Sequence, residues 1–167
     1  MKVTVTSGSG IGLTAMAAFD DALNKAGIAN YNLIKLSSII PPKTEIRIEK
    51  YIPQNGDEFG NRLYTVLAEM RSEVPGKTLG AGVGWYQWGD DDRGVFAEHH
   101  EMINEVNGRK MEALVKNNLE QTVQNLCEFR KIPYDKSKLK IVSQVKEVTK
   151  EPSSVLVAAV YKSEGWD

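Results

Sequence analysis

The sequence predicts an α+β protein, a four-layer αββα sandwich of antiparallel sheets flanked by helices. Two segments, residues 14–26 and 107–131, repeat apolar residues at helical spacing, and each can cover one outer face of a sheet. Several other segments alternate apolar and polar residues with the two-residue period of a strand. The chain has 167 residues, 41% apolar and 26% charged, which is long enough to bury its own core. A single domain over residues 1–167 is therefore expected.

The first strand is predicted at residues 2–6, and the glycine-rich residues 7–12 that follow are predicted to form a flexible turn. These glycines do not make a dinucleotide-binding pattern, because Leu13 stands where the third glycine is required. Thr14 is a suitable N-cap for a helix that ends near Ala26, with Gly27 after it. The buried face of this helix is expected to contain Met16, Phe19, Leu23 and Ala26.

Residues 62–72 and 77–86 are predicted to form a hairpin around the turn at Pro75-Gly76. Leu67 to Met70 favour a helix by propensity, but apolar residues in 62–72 alternate at period two, and this favours a strand. A loop is predicted at residues 53–60. Further strands are predicted at residues 31–36, 44–52 (with Ile46, Ile48 and Ile52 on one face), 93–98, 139–147 and 154–162.

The clearest helix is predicted at residues 107–131, and Pro133 ends it. Its apolar stripe is expected to contain Met111, Leu114, Val115, Leu119, Thr122, Val123, Leu126 and Phe129. Cys127, the only cysteine, adjoins this stripe and is interpreted as a small core residue rather than a nucleophile. A single cysteine also excludes an internal disulfide and favours a cytoplasmic location.

Charge and composition argue against several classes of partner. The net charge of −1 gives no indication of binding to nucleic acid or to an anionic membrane, and no apolar run is long enough to span a bilayer. The pair His99-His100 lies between Glu98 and Glu101, but neighbouring strand residues point to opposite faces. No metal site is therefore expected.

Residues 30–42 form the most informative segment. A serine pair alone means little, since Ser153-Ser154 is another pair before an apolar run. The whole stretch, Asn-x-Asn-Leu-Ile-Lys-Leu-Ser-Ser-Ile-Ile-Pro-Pro, closely resembles the self-cleavage segment of the pyruvoyl-dependent arginine decarboxylases. Residues 18–28 resemble the first helix of that family and its exit, and residues 94–98 resemble the strand that carries its catalytic glutamate.

The resemblance implies self-cleavage between Ser37 and Ser38, because the Ser38 hydroxyl can attack the preceding carbonyl. The expected products are residues 1–37, the β chain, and residues 38–167, the α chain, which would begin with a covalent pyruvoyl cofactor derived from Ser38. Asn32 is implied as an oxyanion donor or positioning residue in this cleavage. The implied reaction converts L-arginine to agmatine and CO2, with the pyruvoyl ketone accepting electrons from the departing carboxylate.

The same resemblance implies roles for two acidic residues. Glu98 would donate a proton to the substrate α-carbon, which requires burial to raise its pKa. Asp20 would bind the guanidinium group, whereas Asp21 points about 100° away on the helix and is expected to be solvated. The family's sites lie between subunits, so a homo-oligomer, a trimer or dimer of trimers, is implied.

Two alternatives remain open from the sequence. The first is a pyruvoyl decarboxylase for another amino acid, such as histidine, lysine or ornithine. The second is a non-catalytic binding or assembly module on the same fold.

Overall fold

Two β-sheets pack face to face in the computed structural model, which describes residues 1–54 and 56–166. Asn55, within the predicted loop at 53–60, and Asp167, the last residue of the predicted α chain, lie outside the described residues. A short 3-10 helix, Lys136–Lys138, precedes the eighth strand. In chain order the main elements are β1 (Lys2–Ile11), α1 (Ala15–Ala26), β2 (Asn32–Lys35), β3 (Ile39–Ile40), β4 (Glu45–Ile48), β5 (Arg62–Ser72), β6 (Lys77–Trp88), β7 (Arg93–Asn104), α2 (Gly108–Phe129), β8 (Lys140–Glu147) and β9 (Ser153–Glu164).

Four layers result from these elements. One sheet has the strand order β2-β5-β9-β1-β4, and the other has the order β3-β7-β6-β8. Apolar residues such as Val5, Val66 and Phe96 fill the space between the sheets. Helix α1 covers the outer face of the five-stranded sheet, and α2 covers the outer face of the four-stranded sheet. The predicted αββα sandwich is therefore confirmed.

Strand pairing differs from the prediction in two ways. Residues 62–72 and 77–88 are strands, but they do not form a hairpin, because β5 lies in the five-stranded sheet and β6 in the four-stranded one. The connection around Gly76 crosses between the sheets, and the Gly76 N–H donates to the Val148 carbonyl. The sheets are also not wholly antiparallel, since β1 pairs with β4 and β2 with β5 in parallel.

Several residues predicted on apolar faces are exposed instead. Met16 and Phe129 are 66% and 76% exposed. Ile48, at the end of the edge strand β4, and Ile52, beyond it, are exposed as well. Phe129 lies two residues beyond Cys127, which turns it about 200° away from the buried side of α2. The buried residues of α2 recur every fourth position at Met111, Val115, Leu119, Val123 and Cys127. The interpretation of Cys127 as a core residue is confirmed.

The glycine-rich residues 7–12 are not a turn as predicted, because β1 continues to Ile11. Their small size lets α1 approach the strand closely, and a Cβ on Gly8 would lie 2.1 Å from the Ala22 carbonyl oxygen. Helix α1 begins and ends as predicted. Thr14 Oγ1 accepts a hydrogen bond from the Ala17 N–H, and Gly27 adopts a left-handed φ of 84°.

We expect Gly8→Ala to lower the free energy of unfolding by about 3 kcal/mol, because the new methyl group must displace α1. Gly108→Ala is the matched control, since its Cβ would lie 3.7 Å from Val145 Cγ1 at the start of a helix. That variant should stay within about 1 kcal/mol of wild type. Urea unfolding at one protein concentration compares them, and equal stability of the two variants would contradict the packing role of Gly8.

Candidate active site at the crossing between the sheets

The peptide bond between Ser37 and Ser38 lies where the chain crosses from one sheet to the other. Before it, the Leu36 N–H donates to the Thr65 carbonyl of the five-stranded sheet. After it, Ile39 pairs with Val95 in the four-stranded sheet. The bond is therefore held from both sides by strands of different sheets.

Ser38 has an unusual backbone conformation and two close partners. Its φ of 63° lies in the left-handed region, which is disfavoured for any residue that has a Cβ atom. The Ser38 hydroxyl donates to Glu98 Oε2 at 2.8 Å, and its carbonyl oxygen accepts from the Phe96 N–H at 2.8 Å. Ser38 is half-buried and Ser37 is exposed. The structure thus brings Ser38 and Glu98 together.

Glu98 reaches this position because of the alternation of β7. Phe96 and Glu98 are two residues apart, so both side chains lie on the sheet face that packs against the other sheet. Phe96 is buried in the core, whereas Glu98 lies at the rim and is exposed. The burial that its expected role requires is therefore not provided by one chain alone.

Tyr161 also lies beside this site, although no sequence motif had indicated it. Its hydroxyl donates to the Ile39 carbonyl oxygen at 2.8 Å, and its ring contacts the Phe96 ring with centroids 6.1 Å apart. Burial, together with the nearby charge of Glu98, raises the pKa of the Tyr161 hydroxyl. The phenol therefore remains a hydrogen-bond donor across the physiological pH range.

Asp20 and Asn32 lie apart from the Ser38–Glu98 pair. Asp20 is exposed on α1, and among the described residues its carboxylate has no hydrogen-bond or ion-pair partner. Asn32 begins β2, where its side-chain amide donates to the Gly60 carbonyl at 2.7 Å. Within the described part of the chain, no hydrogen bond connects either residue to Ser38.

Asp21 differs from its neighbour Asp20 and is not simply solvated. Its Oδ2 accepts from Lys25 Nζ at 2.8 Å and from the Ile11 N–H at 3.0 Å. The hydrogen bond from Lys25, followed by that from Ile11, lowers the pKa of the Asp21 carboxyl. Asp21 therefore attaches α1 to β1, and its carboxylate is already occupied.

Among residues 1–54 and 56–166, no group of three or more His, Cys, Asp or Glu side chains could hold a metal ion. His99 Nε2 lies 3.7 Å from Glu101 Oε2, and burial lowers the pKa of His99. Burial raises the pKa of the Cys127 thiol. Neither helix of the described chain is long and apolar enough to cross a membrane.

Comparison with known proteins points to one family. The family described as pyruvoyl-dependent arginine decarboxylase matches residues 2–165. Proteins of that name from Pyrococcus furiosus and Pyrococcus abyssi are 31% and 30% identical to this chain, and each alignment covers 95% of this chain and 93% of the relative. The Picrophilus torridus protein of the same name is 38% identical over 59% of this chain, which is about half (54%) of that relative. Together with the strained Ser38 beside Glu98, these matches show that the chain belongs to the pyruvoyl-dependent arginine decarboxylase family.

Proposed function

We propose that this chain is the precursor of a lyase that converts L-arginine to agmatine and CO2, after cleaving itself between Ser37 and Ser38. The observation that carries this proposal is the Ser38 hydroxyl, which donates to Glu98 from a residue with a strained backbone. An acceptor 2.8 Å from the hydroxyl can take up its proton as the oxygen becomes a nucleophile.

The proposed cleavage balances as an acyl shift followed by an elimination. Ser38 Oγ adds to the Ser37 carbonyl carbon and the peptide C–N bond breaks, which leaves an ester and a free amine on residue 38. Loss of the α-proton and breakage of the Cβ–Oγ bond give a Ser37 carboxylate and dehydroalanine at residue 38. Water then replaces the nitrogen, which departs as ammonia, and a pyruvoyl group remains on residues 38–167.

Backbone strain at Ser38 favours this reaction. A left-handed φ at a residue with a Cβ costs about 1–3 kcal/mol, and strands on both sides maintain it. The φ angle of residue 38 is defined by the nitrogen that leaves, so cleavage removes the strained torsion. Asn32 supports the reaction as a positioning residue in this proposal, since it attaches the start of β2 to Gly60.

The residues around position 38 fit the pyruvoyl group that the family name implies. That group would supply a ketone that takes up the electrons released as CO2 departs. The Phe96 N–H holds the carbonyl of residue 38, and Glu98 lies within hydrogen-bonding reach of its side chain. Once the Ser38 hydroxyl is gone, the Glu98 carboxyl is free to deliver a proton to the substrate α-carbon.

The Asp20 carboxylate is proposed to bind the substrate guanidinium. It is exposed and without a partner among the described residues, whereas the neighbouring Asp21 is bound by Lys25 and Ile11. A planar guanidinium pairs well with a free carboxylate.

A second copy of the chain is proposed to complete each site, in a trimer or dimer of trimers. Asp20 lies on the outer helix of one sheet, and Ser38 and Glu98 lie at the edge of the other, so one chain does not join them. Ile39, next to Ser38 on β3, and Met102, on the same strand as Glu98, expose apolar side chains that are suitable for burial against another subunit. Such burial would also provide the environment that Glu98 requires.

We expect Asp20→Asn to lower kcat/KM for arginine by about 10-fold to 100-fold, because a charged hydrogen bond to the guanidinium is lost. Release of labelled CO2 from arginine, lysine, ornithine and histidine measures the preference. Wild type should prefer arginine, and the variant should lose that preference. An unchanged arginine preference in the variant would contradict the role of Asp20, and a wild type that prefers another amino acid would support the first alternative.

Mixed oligomers provide the control for the shared site. Asp20→Asn and Glu98→Gln chains, each impaired alone, should regain activity when they are assembled together, because some sites then receive both intact residues. No recovery in mixed assemblies would contradict a site shared between subunits.

Intact mass, measured together with activity, tests the non-catalytic alternative. Full-length chain without fragments 1–37 and 38–167 and without activity would support that alternative, whereas active chain that is uncut would exclude the pyruvoyl mechanism. A cytoplasmic location is proposed as well, supported by the free thiol of Cys127.

A further inference from the structure

The proposed cleavage and decarboxylation steps assign no role to Tyr161. We propose that Tyr161 is a positioning residue which, together with the Phe96 N–H, clamps the backbone carbonyl groups of residues 38 and 39 in the cleaved chain and so holds residue 38 beside Glu98. This inference rests on the proposed self-cleavage, because only cleavage makes residue 38 a chain terminus.

The geometry of β3 explains why a clamp is needed. This strand has only two residues and lies at the edge of its sheet. The Phe96 N–H donates to the Ser38 carbonyl, so Ile39 and Val95 form a non-hydrogen-bonded pair. The Ile39 carbonyl therefore points away from β7, and the Tyr161 hydroxyl is the donor that reaches it.

Alternation along β9 places Tyr161 on the core side. Val155, Val157 and Ala159 face the space between the sheets, and the ring of Tyr161 continues this row and lies against Phe96. Tyr161 is also the extra residue of a β-bulge, since Thr65 of β5 pairs with Val160 and Tyr64 pairs with Lys162. The same ring thus contacts the strand that carries Glu98 and the segment that follows the cleavage site.

Cleavage changes what holds this segment. In the uncut chain, residue 38 is attached covalently to β2, whereas in the cut chain it is a terminus held by a short edge strand. Chain termini fray unless tertiary contacts hold them. The two carbonyl contacts, from Phe96 and Tyr161, would then fix the distance between residue 38 and Glu98, to which proton transfer is sensitive.

Tyr161→Phe tests the clamp, because it removes the hydroxyl and keeps the ring on Phe96. Tyr64→Phe is the matched control, since its hydroxyl donates to Glu164 at the same end of the sheet and forms no hydrogen bond with residues 37–42. In cleaved enzyme we expect Tyr161→Phe to lower kcat about tenfold, with KM for arginine changed by less than about twofold. Tyr64→Phe should match wild type in both.

Hydrogen exchange gives a readout that does not depend on turnover. In the cleaved Tyr161→Phe protein, the Phe96 amide should exchange about tenfold faster than in wild type. In an uncleavable Ser38→Ala background, the same substitution should change this exchange by less than about twofold, because β2 still holds the segment.

Three experimental outcomes distinguish a failure of the Tyr161 clamp from a failure of the proposed self-cleavage. Cleaved, active wild type with unchanged kcat and exchange in Tyr161→Phe would overturn the clamp alone. Equal acceleration of exchange in the cleaved and uncleavable backgrounds would show a general structural role and would also overturn it. An uncleaved and inactive wild type would overturn both the proposed function and the clamp.

Discussion

Replacing Ser38 by alanine is expected to leave one uncut chain of 167 residues with no decarboxylase activity. The variant has no hydroxyl to attack the Ser37 carbonyl, so neither the ester nor the pyruvoyl group can form. Without that ketone, the rate should fall to the uncatalysed background, a loss of about 10⁶-fold or more. Intact-mass measurement and release of labelled CO2 report the two losses independently.

Ser153→Ala is a matched control for this loss. Ser153 belongs to the other serine pair of the sequence, and its hydroxyl donates to the Glu151 carbonyl at the start of β9. Strand β9 lies in the five-stranded sheet, whereas β3 and β7 belong to the four-stranded sheet. This control should cleave and turn over as wild type does. Decarboxylation by uncut Ser38→Ala protein would exclude the proposed mechanism.

The second large effect is expected at Glu98. Glu98→Gln preserves the size of the side chain and an oxygen that accepts from the Ser38 hydroxyl, but an amide is a much weaker base than a carboxylate. Fragments 1–37 and 38–167 should therefore form more slowly than in wild type, and the cleaved variant is collected after long incubation. Glutamine has no acidic proton to deliver, and kcat should fall by about 10²-fold to 10⁴-fold with little change in KM. Single-turnover kinetics on the purified, cleaved variant measure this loss.

Glu101→Gln provides the comparison on the same strand. Glu101 lies three residues beyond Glu98 and therefore on the opposite face of β7, near His99. Its variant should retain wild-type turnover. If cleaved Glu98→Gln kept its kcat within about tenfold of wild type, another group would have to be the proton donor.

The helices were the part of the fold most accessible to prediction. Thr14 and Gly27 delimit α1 as expected, since capping depends on residues within one turn of the helix end. The period of two also identified residues 62–72 as a strand correctly. The pairing of strands could not be predicted in the same way, because β5 and β6 are adjacent in sequence and yet belong to different sheets. That choice depends on which helix covers which face, and this is a long-range property.

The glycine run at residues 7–12 also has a structural role that depends on long-range contacts. Read locally, glycine indicates a turn, but Gly8 is required here because the Ala22 carbonyl approaches the strand. Met16 and Phe129 were predicted on buried helix faces and are exposed, because helical spacing alone does not indicate where the sheet beneath the helix ends.

The layered α+β class and the two helices follow from the sequence alone, as does the family resemblance of residues 18–28, 30–42 and 94–98, which selects Asp20, Asn32, Ser38 and Glu98. These features depend on local periodicity and on short contiguous segments. The left-handed φ of Ser38, the contact of its hydroxyl with Glu98 and the contact of Tyr161 with Ile39 are visible only in the folded chain. The two contacts join residues far apart in sequence, since Ser38 and Glu98 are 60 residues apart and Ile39 and Tyr161 are 122 apart. Such contacts arise only when the two sheets pack face to face.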